Sequence, residues 1–215
     1  SSAASDVYKR PIPHMPYRVS VSYTNENGIL KTSNMERLTG AISLNPNFFD
    51  KKLNIQLNVK GIYNTNRFAD TGAIGMATQY DPTQPIYMDG NPYGNGYFMY
   101  MKSGNNPTPV DIGLANPVSI LDSKHDESTV YRSIGNAQID YKFHFLPELR
   151  ANLNLGYDVS KSEGDVIIED NAPMTWCQGN YKTGFGENSS YYQLKRNTLL
   201  DFYLNYAKEF GAHHV

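Results

Sequence analysis

The chain has 215 residues and carries 19 Lys and Arg against 21 Asp and Glu, a formal net charge of −2. That balance leaves no electrostatic footprint for nucleic acid, and the absence of any run of 18 apolar residues excludes a transmembrane helix. A single cysteine, Cys177, excludes an intramolecular disulfide and a cysteine-based zinc cluster.

The opening SSAASDVYKRPIP has no apolar core of a signal peptide. Residues 1–16 are left as a segment of uncertain register. Alternation of apolar and polar residues begins at YRVSVSYTN, 17–25, with Tyr17, Val19, Val21 and Tyr23 on one face. ENG after it reads as a tight turn. A second strand is expected over about 29–44, with Leu38, Ile42 and Leu44 on one face and Glu36 interrupting it near one end. NPNFFDKK, 45–52, is a turn.

The third strand, LNIQLNVKGIY extended to about 67, alternates strictly. Leu53, Ile55, Leu57 and Val59 face one way, while Asn54, Gln56, Asn58 and Lys60 face the other. From 69 to about 129 the chain is polar and rich in Gly, Pro, Asn and Tyr, with no sustained period. The fourth strand, 130–145, sets Arg132, Asn136 and Gln138 on its polar face, with Ile134 as an exception. LPE is a turn, and the fifth strand, 149–160, opposes Leu149, Leu153 and Leu155 to Arg150, Asn152 and Asn154. A second long loop is expected over about 161–189, then a sixth strand over 191–210 and a short turn to 214.

An amphipathic strand suits either a soluble sandwich or a membrane barrel. Strand length decides between them. Several of these strands run 12 residues or more, where ordinary strands average about 5–6. Short turns at 45–52 and 146–148 also alternate with long loops at 69–129 and 161–189, as periplasmic turns and extracellular loops do in outer-membrane barrels. Phe48, Phe49, Phe143, Phe145 and Phe210 gather at the short-turn ends, and Tyr17, Tyr23, Tyr63, Tyr131 and Tyr157 at strand ends or outward positions, as interfacial girdles do. FDKKLNIQLNV and FLPELRANLNL repeat one hairpin grammar. The fold class expected is all-β, part of a large antiparallel transmembrane barrel over 17–215. Its apolar face (Leu53, Ile55, Leu57, Val59, Leu149, Leu153, Leu155) is turned to lipid and its polar face to the lumen.

The strings MPYRVSVSYTNENGILKTSNMERLTGAISLNPNFFDKKLNIQLNVKG, NRFADTGAIG, DPTQPIY, IGNAQIDYKFHFLPELRANLNLGYD and LLDFYLNYAKEF resemble, in that order, the barrel region of the SusC/RagA family of TonB-dependent outer-membrane transporters. The resemblance runs from about Met15 to Phe210. It implies a barrel of 22 strands closed by a plug domain, which is absent from this chain. It also implies a SusD-like surface lipoprotein as a lid over the extracellular mouth, and import of oligosaccharides or peptides energised by the TonB complex through parts outside these residues. No cofactor, metal or chemical step on the substrate is implied. The alternative is a secreted, non-catalytic glycan-binding or adhesion β-protein.

The first long loop carries Tyr80, Tyr87, Tyr93, Tyr97, Phe98 and Tyr100, and the second carries the single tryptophan, Trp176. Aromatic faces stack on sugar rings, so these seven are candidates for contact with substrate or lid. Packing of the loop against the wall, the plug or the lid is the competing reading. DPTQP, 81–85, reads as a rigid turn set by Pro82 and Pro85. Asp70, Asp81, Asp89, Asp111 and Asp122 lack calcium-loop spacing. Glu163, Asp165, Glu169 and Asp170 could suggest a glycosidase pair, but they sit in a polar stretch with nothing to raise one pKa. His213 and His214 read as surface residues of a turn.

Overall fold

The computed structural model describes residues 2–12, 15–111, 113–177, 183–210 and 213–214, with the backbone alone for 2–12, 209–210 and 213–214. The chain is an antiparallel sheet. Its strands are β1 (Ser2–Ile12), β2 (Met15–Asn27), β3 (Asn34–Leu44), β4 (Asn47–Phe48), β5 (Leu53–Phe68), β6 (Lys124–Lys142), β7 (Leu149–Ile168) and β8 (Glu187–Tyr206). They lie in the order β1-β2-β3-β5-β6-β7-β8, with β4 paired to β5. β9 (Glu209–Phe210) and β10 (His213–His214) form a separate two-stranded ladder. Each long strand is hydrogen-bonded to the next in sequence, the meander that hairpin connections produce.

The register aligns the faces foreseen from alternation. One row runs Leu44, Leu57, Ala137, Leu155, Leu200, and the next Ile42, Val59, Gly135, Tyr157. One residue step away, Gln56, Gln138, Asn154 and Asp201 form a row of the opposite face. Among the described residues neither face of the sheet carries a second layer. Val21, Leu38, Ile42, Val59 and Leu155 are exposed on the apolar side. Most of the polar face is open too, although Asn152, between Asp140 and Tyr203 in the register, is buried at 6%. A soluble sandwich would cover the apolar side.

Its height fits a membrane. Tyr63 pairs with Tyr131 at one edge, with ring centroids 5.1 Å apart, and Leu53 pairs with Tyr141 at the other. Ten residue steps separate the two edges. At about 3.4 Å per residue and a tilt of about 45° they span about 24 Å, close to the ~25 Å apolar band of outer-membrane barrels. Below the lower edge Tyr141, Phe143 and Phe145 stack in sequence, with centroids 5.1 and 5.3 Å apart. The side chain of Phe210, expected in the same girdle, lies outside the described residues, as do those of His213 and His214.

Strand ends depart from expectation at the loop end of the sheet. The first long loop closes at Ser123, not near 129, because β6 starts at Lys124, and the second is 169–186, not 161–189. Residues 124–129 and 161–165 are polar on both faces, and Val166–Ile168 run apolar without a break, so neither stretch alternates, yet their ladder continues unbroken. Above the apolar band the backbone ladder holds the strands together, and pairing there needs no alternating pattern. Glu163 and Asp165 thus belong to a strand, not a loop. At the other end β6 stops at Lys142 and β8 at Tyr206, leaving Phe143 and Phe145 to the turn. β3 begins at Asn34, not 29, and the expected tight turn after β2 is a six-residue loop, 28–33, closed by Gly28 N–H donating to Ser33 O at 2.9 Å. Residues 2–12, left open as to register, pair along their length with β2.

Candidate functional site

Both long loops leave the same end of the sheet, and they fold together. The first holds α1 (Gly72–Gln79), a 3-10 turn at Gly94–Gly96 and α2 (Pro117–Ser123), and the second holds α3 (Pro173–Cys177). Among the described residues the buried apolar side chains gather here: Ala73, Ala115, Ile120, Ile168, Ala172 and Met174 form one core, with Met76, Leu121 and Cys177 packed against it. The protein therefore packs like a soluble domain at one end of a sheet that does not.

Asparagines organise this cap. Asn116 starts α2: its Oδ1 accepts from Val118 N at 3.0 Å and Ser119 N at 3.4 Å, with Pro117 at the first helical position. Its Nδ2 donates to Ile86 O at 2.7 Å and so fixes the aromatic stretch to the helix. Asn171, in the left-handed region at φ 61°, clasps the two loops. Its Nδ2 donates to Pro92 O at 3.0 Å, its backbone O accepts from Gly94 N at 3.0 Å, and its Oδ1 accepts from Trp176 Nε1 at 3.0 Å. Asn95 adds a bond to Asp170 O at 2.7 Å. Gly94, at φ 82°, lies against Met99, where a Cβ would stand 2.6 Å from the sulfur. Neither asparagine was singled out from sequence. Asn116 before Pro117 was a readable helix start, whereas Asn171 gives no local sign.

The aromatic candidates resolve into pairs. Tyr87 and Tyr97 lie 5.3 Å apart, Tyr93 meets Trp176 edge-on at 5.1 Å, and Tyr100 takes Phe98 at 5.3 Å and Tyr80 at 6.0 Å. All seven thus take part in packing within the cap. Tyr87 remains 60% exposed and is the most available to a ligand or partner. Burial pushes the Tyr97 phenol up to about 12, helped by its hydrogen bond to Asp122 Oδ2 at 3.0 Å. Burial, with Tyr100 and Asp81 nearby, raises Tyr80 to about 12. Its hydroxyl has no hydrogen-bond partner among the described residues.

Asp122 also accepts from Lys31 at 2.6 Å, tying the 28–33 loop to α2, and Lys124 binds Asp70 at 2.9 Å. Asp81 accepts from Thr83 N at 2.9 Å and Thr83 Oγ1 at 2.7 Å. These bonds hold its carboxyl below the usual range and make 81–85 a turn. Glu163 pairs with Lys161, Glu169 faces His125 at 3.5 Å, and Asp170 accepts from Gly186 N at 2.7 Å. Each of these carboxylates thus has its own donor. No group of three or more His, Cys, Asp or Glu side chains able to hold a metal occurs among the described residues.

A long-stranded antiparallel meander with one apolar and one polar open face, an apolar band of membrane height and a folded loop cap at one end is a portion of an outer-membrane β-barrel wall. No family model matches the chain. It is 37% identical over 209 residues to the TonB-dependent receptor SusC of Bacteroides thetaiotaomicron, a match covering 93% of this chain and 20% of that receptor. A structure of the RagAB peptide importer in its closed-closed state superposes with a TM-score of 0.66 at 14% identity, over 97% of this chain and 22% of the other. A second structure, of the RagAB peptide transporter, gives 0.61 at 16%, over 98% and 22%. The chain belongs to the SusC/RagA family and spans about a fifth of its curated relative's length. That places it in the bacterial outer membrane.

Proposed function

We propose that the chain forms part of the wall and extracellular cap of an active importer. The whole protein takes up oligosaccharides or peptides, is energised through TonB, and works with a SusD-like lipoprotein seated over its mouth. The observation that carries this reading is the identity with SusC along nearly the whole chain. The sheet fits it: the polar face, with Asn54, Gln56, Asn58, Lys60, Gln138 and Asn154, lines the lumen, and the row of Leu53, Ile55, Leu57 and Val59 meets lipid. The cap's long loops are extracellular, and its exposed rings, Tyr87 first, meet the lid or the substrate. The wall binds and guides, and it does no chemistry on what passes.

The test is a deletion within the full-length protein in its host. Residues 88–96 leave and re-enter the cap at a closed point, since Met88 N donates to Gly96 O at 2.9 Å. Replacing them with two glycines leaves every barrel ladder intact. The variant is expected to reach the outer membrane, lose co-purification with its lipoprotein and import less substrate. Wild-type partner binding together with wild-type uptake would sink the reading.

A further inference from the structure

Ile62 and Ile134 break the polar face, and the register shows what surrounds them. Ile62 stands opposite Arg132, and Ile134 lies between Lys60 and Asp158. Arg132 lies in turn opposite Ser160, which pairs with Lys195. Three cations and two isoleucines thus share two adjacent rows of one face, with a single carboxylate among them. Asp158 is already committed: it accepts from Arg132 Nε at 2.9 Å and Nη2 at 2.6 Å, a two-pronged bond that satisfies both groups. Lys60 is exposed, and neither Lys60 nor Lys195 has an ionic partner among the described residues. Beyond Asp158, the nearest carboxylate below them on that face is Asp201, two rows down, in the row of Gln56. Four residue steps are about 14 Å, farther than the ~8 Å over which physiological salt lets exposed charges interact. Among the described residues the rows from Asn58 to Asn64 carry no aromatic ring on this face that could stack on a sugar.

We propose that this patch is a selectivity site for an anionic solute with an apolar body, of which an acidic peptide is the simplest form. Lys60 and Lys195 meet its carboxylates, and Ile62 and Ile134 meet its apolar groups. The Arg132–Asp158 pair holds the wall between them. The inference rests on the transport reading above, in which this face lines the lumen. Basic side chains in a pore wall favour anions. At about 7 Å in water one unit charge changes an anion's occupancy about threefold, so losing both lysines reduces it about sevenfold.

The experiment uses the full-length transporter in its host cells. It follows three labelled probes: a Glu- and Leu-containing peptide, the same peptide with Gln for Glu, and a neutral oligosaccharide. Wild type is expected to prefer the Glu peptide over its Gln form. Lys60→Gln with Lys195→Gln should lower that preference about sevenfold, whereas Lys60→Arg with Lys195→Arg should keep it. An unchanged preference in the Gln variant overturns the inference, and so does an equal loss for both peptides, which would mean that the lysines only hold the protein together. Uptake of the oligosaccharide alone overturns the inference and leaves the transport reading standing. If the unmodified protein imports no probe, the transport reading falls and the inference falls with it.

Discussion

Arginine placed at Leu57 tests the assignment of the apolar face to lipid. Leu57 stands between Leu44 and Ala137 in the ladder, four residue steps from Leu53 and six from Tyr63, near mid-height of the apolar band. On that assignment a guanidinium there has no water within reach, and its own row holds no carboxylate. Charged residues at the bilayer midplane of such barrels cost roughly 2–4 kcal/mol, a loss of about 30- to 700-fold in the folding equilibrium. Gln56 is one residue away and opposite Gln138, but on the polar face. Gln56→Arg is expected to cost under about 1 kcal/mol. The assay is urea unfolding of the full-length protein in lipid vesicles, comparing midpoints at constant slope so that a shift reads as stability. Equal destabilisation by Leu57→Arg and Gln56→Arg would refute the assignment of the two faces.

Gly135 lies beneath the Tyr157 ring, and a Cβ there would stand 2.3 Å from Cε1, whereas at Gly61 it would meet nothing within 4 Å. Gly135→Ala should displace the ring, break the Tyr157–Ser133 hydroxyl contact of 3.1 Å and cost about 1 kcal/mol, while Gly61→Ala leaves the same urea midpoint unchanged. Asn171→Ala should loosen the cap, and Cys177 reports on it. Burial raises its thiol to about 11, so at pH 8 it should alkylate slowly in wild type and at least tenfold faster in the variant, followed by mass spectrometry of the 173–177 peptide.

What could be read from the sequence follows the apolar band. In residues 53–59 of β5 and 149–160 of β7 every second side chain is apolar, so period two marks the strand and separates its two faces. Where the band ends, the signal ends with it. Lys124–Thr129 and Lys161–Ile168 stay in the ladder, but their side chains serve the cap and local ion pairs, such as Lys124 with Asp70 and Ile168 in the core, so they have no reason to alternate. The helices were hidden for another reason: α1, GAIGMATQ, carries two glycines and no apolar stripe, and it is helical because Ala73 and Met76 reach a core built from distant segments. The aromatic series was visible as a series. Its pairing was not, since Tyr93 finds Trp176 only after Asn171 brings the second loop over the first.

The folded cap stands on strands that pair almost to their last residue, Phe68 with Asp126 and Ile168 with both Lys124 and Glu187. Those ladders bring the ends of each loop together before any cap contact forms, so the cap inherits its closure instead of generating it. Two solvents thereby impose two separate grammars on one chain. Below the rim, on the proposed reading, a change must respect lipid on one side and water on the other at every second position. Above it, the fold depends on a small core and a few asparagine clasps. The tip and the staves beneath it thus answer to different constraints within one chain.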